Sequence, residues 1–152
     1  MMKIRIRASV LCLDKGKLLV VSLRDPVTHQ AYRLPPGGMV EKGEKPRTAA
    51  LRELREETGY DAELEKGFEQ IVDYPFVWGG QTHACRTHFF RGQVKGTRKR
   101  VSAEETVLEG CDWIAVDTLA QEWAFHPQLR DALIAALRNE PAKSAKPVRK
   151  KT

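Results

Sequence analysis

Residues 38–60 read GMVEKGEKPRTAALRELREETGY, and the spacing of charge in this stretch decides how the rest of the chain is read. Strong helix formers run from Ala49 to Glu57. Pro46 stands where a helix can begin without losing a hydrogen bond, and Gly59 stands where a left-handed cap can end one. On such a helix Glu53, Glu56 and Glu57 occupy i, i+3 and i+4 and share one face. Carboxylates so placed repel one another unless positive charge lies between them. Two arrangements meet that need: a solvated acidic face paired with Arg47, Arg52 and Arg55, or a hard divalent cation. An all-oxygen ligand set favours Mg²⁺ or Mn²⁺ over zinc, and Mg²⁺ keeps positions open for water and phosphate oxygens. The planar fork of Arg52 suits it to orient Glu44 or a ligand glutamate, and Gly37 and Gly38 allow close backbone approach to a metal or phosphate.

The complete pattern is Gly38, five residues, Glu44, seven residues, then Arg52-Glu53-Leu54-Arg55-Glu56-Glu57-Thr58-Gly59. Its spacing matches the Nudix box, so the chain resembles the Nudix (MutT-like) hydrolase family. Seven fixed positions, each of a residue type used at roughly 5–10%, coincide by chance on the order of once in a hundred million windows, which favours the metal reading over the solvated face. Tyr60 stands where the family usually has a smaller aliphatic residue, a departure that bears on packing. The resemblance implies an α/β Nudix fold, an α/β/α sandwich with a mixed β-sheet. It also implies metal-dependent cleavage of a nucleoside diphosphate linked to another group, the class of nucleoside triphosphates, ADP-ribose and dinucleoside polyphosphates. Glu53, Glu56 and Glu57 are then the expected ligands of Mg²⁺ or Mn²⁺, with the Gly37 carbonyl as a further ligand. Glu56, Arg52 and Glu44 form the expected catalytic set, Glu56 being either a ligand or the group that deprotonates water. In many members a base lies outside the box, and Glu104 and Glu105 are the candidates here. Two alternatives stand beside this reading: an RNA 5′-end pyrophosphohydrolase, and a non-catalytic nucleotide-binding regulator that keeps the fold without turnover. Many members of the family are dimers, so a homodimer is compatible with the resemblance.

The 152 residues suffice for one domain with its own core, and 41% hydrophobic with 30% charged residues is a globular composition. We read residues 1–138 as the Nudix domain and 139–152 as a basic tail. That tail, NEPAKSAKPVRKKT, carries five basic residues against Glu140, so +4 of the net +6 lies there and the body is only mildly basic. Its composition predicts a disordered extension, suited to counterion release on RNA or to keeping the chain dissolved. The start, MMKIRIRASVLCL, alternates arginine with apolar residues and lacks a clean cleavage site, so it reads as a strand of a cytoplasmic protein. No apolar run is long enough to span a bilayer. Cys12, Cys85 and Cys111 show no CxxC spacing and read as reduced core thiols.

Along the body, residues 3–13 and 17–24 read as strands joined by a hairpin turn at Asp14-Lys15-Gly16. Arg33 to Gly38, with its doubled proline, reads as a break in the chain. Strand-like runs follow at 68–76, 82–94 and 113–116. A short helix is expected over 117–123 with Asp117 or Thr118 as its cap, and a longer one over 126–138 with Leu129, Leu133, Ile134 and Leu137 on one stripe. Substrate contacts are sought in Arg33 beside the glycine turn, in Arg98 of the basic loop 98–100, and in Glu105. Tyr74, Phe76 and Trp78 are the residues suited to stack on a base. Pro75, fifteen residues beyond Tyr60, resembles the downstream proline of ADP-ribose pyrophosphatases, and Tyr74 the tyrosine of dinucleoside polyphosphate hydrolases, so the two cues compete for one place. The four histidines are scattered, with no pair at ligand spacing, and read as structural.

Overall fold

A computed structural model of the protein describes residues 3–101 and 108–138. The readings placed on Glu104, Glu105 and the tail lie outside these residues. In chain order the elements are β1 (Ile4–Asp14), β2 (Lys17–Arg24), β3 (Ala31–Leu34), β4 (Gly37–Met39), α1 (Pro46–Thr58), β5 (Asp61–Leu64), β6 (Gln70–Trp78), β7 (Gln81–Lys95), β8 (Leu108–Ala115), α2 (Leu119–Glu122) and α3 (Pro127–Leu137). A single 3₁₀ turn, Val116–Thr118, precedes α2.

The sheet is mixed because β1 runs parallel to β7, Ile4 to Cys12 beside Ala84 to Gly92, while its other pairings are antiparallel. The strand period of two divides the core into two layers. Leu11, Leu18, Val20 and Phe89 point toward α2 and α3 and pack with Leu119, Trp123, Leu129 and Leu133. Their neighbours Val10, Cys12, Leu19 and Phe90 point the other way and pack under Ala49, Ala50 and Leu54 of α1. The result is the expected α/β/α sandwich.

The β1–β2 hairpin turns through Lys15 (φ 51°) and Gly16 (φ 77°), both left-handed, and is paired at its root, Leu13 with Leu18 and Asp14 with Lys17. Beyond the root the two strands part: β1 continues against β4 and β7, whereas β2 continues against β3 and β8. Residues 35–39 enter the gap, where the Pro36 carbonyl accepts hydrogen bonds from Val10 N (3.2 Å) and Ser9 Oγ (2.6 Å). The segment expected to be a break is thus two short strands flanking Pro35-Pro36.

Four local features differ from the sequence reading or add to it. Asp61–Leu64 is a strand, and β8 begins five residues before Trp113, since ladder partners on β7 and β2 outweigh weak local patterning. The Thr118 side chain does not cap α2; its hydroxyl donates instead to the Ala115 carbonyl (2.7 Å). The cap of α3 is His126, whose Nδ1 accepts from Leu129 N at 3.2 Å. Among the described residues no helix is long and apolar enough to cross a membrane.

Candidate active site

Helix α1 carries the charged face, and its ends are set by local chemistry. Pro46 opens it, and Gly59, left-handed at φ 79°, closes it with its N–H on the Arg55 carbonyl (2.9 Å). Ala49, Ala50 and Leu54 bury the opposite side, which turns Glu53 and Glu57 toward β4. The paired glycines of β4 explain how close that approach is. A β-carbon on Gly37 would fall 2.5 Å from the Ala8 carbonyl oxygen, and one on Gly38 would fall within the Glu53 carboxylate. Gly37 N–H also donates to Glu57 Oε1 at 3.0 Å.

Arg52 organises the acidic side chains. Its Nε and Nη2 grip both oxygens of Glu44 (2.8 and 3.0 Å), and Nη1 reaches Glu53 Oε2 (3.0 Å) and Glu56 Oε1 (3.2 Å). Nη2 donates further to the Met39 carbonyl at 3.1 Å. The Arg52 hydrogen bonds, aided by Glu41 N–H, hold the Glu44 carboxyl down at about 2. Burial pushes the Glu53 carboxyl above its ordinary value, opposed by Arg52 and Arg7. Arg47 and Arg55 are engaged elsewhere, Arg47 on the Leu64 carbonyl and over the Phe90 ring, Arg55 on Asp61. The acidic face is therefore not a ladder of ordinary surface ion pairs.

Glu53, Glu57, Gly37 and Gly38 form one end of a cleft of about 450 Å³. Glu56 is not among the residues that line it; its side chain, 42% exposed, is held by Arg52 Nη1. Among the described residues no three acidic, histidine or cysteine side chains close on one point as a ready-made metal cage. The donor set nonetheless suits a hard divalent ion. The carboxylates of Glu53 and Glu57 line a cleft beside Gly37 that leaves room for water and substrate oxygens, the coordination Mg²⁺ favours.

From the acidic end the cleft crosses the face of the sheet that α3 covers. Arg5, Arg7 and Ser9 contribute from β1, Cys85, Thr87 and Phe89 from β7, and Tyr74, Phe76 and Trp78 from β6. The ladder sets these in rows, since Arg5 pairs with Cys85, Arg7 with Thr87, and Tyr74 with Cys85. Arg5 and Arg7 thus add two positive charges to the lining of the cleft, Arg7 near enough to Glu53 to favour its ionised form. Tyr74 is the most deeply set of the three aromatic residues on β6, its hydroxyl 2.7 Å from Thr87 Oγ1 and its ring edge-on to His126. Phe76 and Trp78 stand nearer the mouth, backed by Tyr32 at ring separations of 5.6 and 6.2 Å.

The structure thus brings Gly37, Glu53, Glu57, Tyr74 and Trp78 to one cleft, with Glu44, Arg52 and Glu56 linked behind. Arg33 is elsewhere, paired with Glu122 at 3.3 Å. Arg98 lies at the far end of α1, donating to the Thr58 carbonyl (2.8 Å) with its guanidinium over Tyr60. Sequence reasoning passed over Arg5, Arg7, Ser9 and Thr87. Their alternation along the strands was visible, but whether that polar face meets solvent or a cleft depends on where β4 and β6 pair.

A family model described as NUDIX domain matches residues 3–135. An RNA pyrophosphohydrolase of Roseobacter denitrificans is 30% identical over 135 residues, 81% of this chain and 82% of that protein. An ADP-ribose pyrophosphatase of Bacillus subtilis is 48% identical over 50 residues, 32% of this chain and 26% of that one. Among solved structures, a NUDIX hydrolase from Nitrosomonas europaea matches with a TM-score of 0.68 at 22% identity over 90% of each chain, a likeness of fold. With the family model spanning nearly all of the described residues, and the box residues gathered around one cleft, the chain belongs to the Nudix hydrolases, enzymes that cleave phosphoric anhydrides and in general depend on divalent metal ions.

Proposed function

We propose that this enzyme hydrolyses the diphosphate linkage of a nucleoside triphosphate or related nucleoside diphosphate derivative, using Mg²⁺ or Mn²⁺ held by Glu53 and Glu57 with the Gly37 carbonyl. The observation that carries this reading is the continuity of the cleft: acidic residues, two arginines and an aromatic wall line one space of mononucleotide size. The metal supplies charge neutralisation of the phosphates and a more acidic water. Arg5 and Arg7 bind the phosphate oxygens farther from the helix, and Phe76 and Trp78 stack on the base. Water attacks one phosphorus, the bridging oxygen leaves with the bonding electron pair, and Glu56 receives the water proton or completes the ligand set. Arg52 holds Glu44, Glu53 and Glu56 in place and does not touch substrate.

The test is product release from nucleoside triphosphates, ADP-ribose, dinucleoside polyphosphates and triphosphorylated RNA, with Mg²⁺, Mn²⁺ or chelator. Metal-dependent cleavage of a small nucleotide, reduced about 10²- to 10⁴-fold by Glu56→Gln in a folded protein, is the expected result. Unchanged turnover in that variant removes Glu56 from proton transfer. Nucleotide binding without turnover of any substrate would favour the regulator.

RNA is the second reading, supported by the relatives named RNA pyrophosphohydrolase. It expects triphosphorylated RNA to be the preferred substrate. It further expects truncation after Arg138 to weaken long substrates selectively and to flatten their salt dependence. Equal rates on all substrates after truncation would leave the tail without a part in RNA capture.

A further inference from the structure

Asp25, the residue after β2, is fully buried, and no role in the chemistry has been given to it. One carboxylate oxygen serves its own loop: Oδ1 accepts from Val27 N (2.8 Å) and Thr28 N (3.0 Å). Asparagine or serine could make that local turn. The second oxygen does something a local turn does not require. Oδ2 accepts from Gly79 N at 2.7 Å, fifty-four positions away, at the tip of the β6–β7 hairpin. There Gly79 and Gly80, at φ 64° and 78°, form the two-residue turn between Trp78 and Gln81.

Both sides of this bridge lead to the aromatic wall. The loop that Oδ1 orders runs through Gln30, whose carbonyl accepts from Asp25 N (2.8 Å), into β3 and Tyr32. The turn that Oδ2 holds follows Trp78 directly. The Trp78 carbonyl is bonded to His83 Nε2 at 3.1 Å, so this residue is anchored on both sides while its ring lines the cleft against Tyr32. Burial alone would raise the Asp25 carboxyl, but its backbone N–H partners outweigh burial and hold it below the usual range, so the bridge carries a full charge at neutral pH.

We propose that Asp25 is a positioning residue for substrate selection: by joining the Val27–Thr28 loop to the Gly79 turn it sets where Trp78 and Tyr32 stand, and so how well the cleft holds a base. The inference rests on the reading that this wall meets the base. It involves neither the metal nor the scissile bond, which lie at the other end of the cleft.

The experiment compares the best-cleaved nucleoside triphosphate with ribose 5′-triphosphate, which lacks a base, using full-length wild type, Asp25→Asn, Trp78→Ala and the double variant with Mg²⁺. Asp25→Asn keeps the Oδ1 contacts and replaces one charged acceptor. It is expected to raise KM for the nucleotide about tenfold, with kcat within about twofold and the base-free substrate unaffected. Adding it to Trp78→Ala should then cost little more, because both changes act on one wall. Asp25→Glu, which keeps the charge but misplaces it, should give a smaller split of the same kind and serves if the asparagine variant does not fold. Equal losses on both substrates, or a fall in kcat at constant KM, would overturn the proposal. So would an unchanged KM in Asp25→Asn when Trp78→Ala raises it. If Trp78→Ala itself leaves KM unchanged, the base-wall reading fails first and takes the Asp25 proposal with it.

Discussion

A β-carbon on Gly38 would enter the space of the Glu53 carboxylate, and nothing about an isolated strand would reveal it. The clash falls on the end of a flexible side chain, so Gly38→Ala should fold while moving Glu53 away from the cleft. Mg²⁺ titration of the rate is expected to show weaker metal dependence, whereas an unaltered titration would remove Glu53 from the ligand set. Arg52 offers a complementary test. Lysine preserves the charge but cannot match both oxygens of Glu44 while reaching Glu53 and Glu56. Arg52→Lys should therefore lose about 10- to 100-fold in activity or metal affinity, and a variant with near wild-type values would reduce the arginine to a surface charge.

At the scale of elements, α1 was legible because its signals are local: proline at the start, helix formers within, glycine at the end, and an acidic face between them. The cap is also a tertiary contact, since a side chain on Gly59 would run into the Lys99 carbonyl and Lys99 N–H donates to the Gly59 carbonyl at 2.6 Å. Gly59→Ala is expected to destabilise the fold by about 1–3 kcal/mol from the left-handed backbone alone, read as a lower urea midpoint, with the Lys99 clash adding to it. The hairpin turn and α3 were legible for the same local reasons. Strands β3, β4 and β5 were not: each has three or four residues, and the ladder they join makes them strands.

Across the whole molecule, the cleft exists because β1 and β2 part above their shared turn and admit residues 35–39 between them. Carboxylates that fix this arrangement also set its acid response. Glu44, held by Arg52, lies at about 2 instead of 4.5, and Asp25, Asp61 and Asp73 are lowered as well, the last by Arg86 gripping both its oxygens. A carboxyl lowered on folding stabilises above its unfolded pKa and loses that contribution as pH falls through the folded one. Glu53, raised by burial, acts in the opposite sense. With four groups against one, the midpoint of thermal unfolding of the metal-free protein should fall steeply between about pH 4 and pH 2. A flat profile there would show that these pairs persist in the unfolded chain. What the sequence determined by itself was the helix of glutamates, its caps, its family and the class of bond it breaks, because each depends on residues within the one continuous stretch 38–60. Only the tertiary structure decided that Arg5 and Arg7 face those glutamates, that Arg33 and Arg98 do not, and that Asp25 reaches Gly79. Those neighbours are set by strand register and by the parting of a sheet, which bring together residues that no local spacing relates.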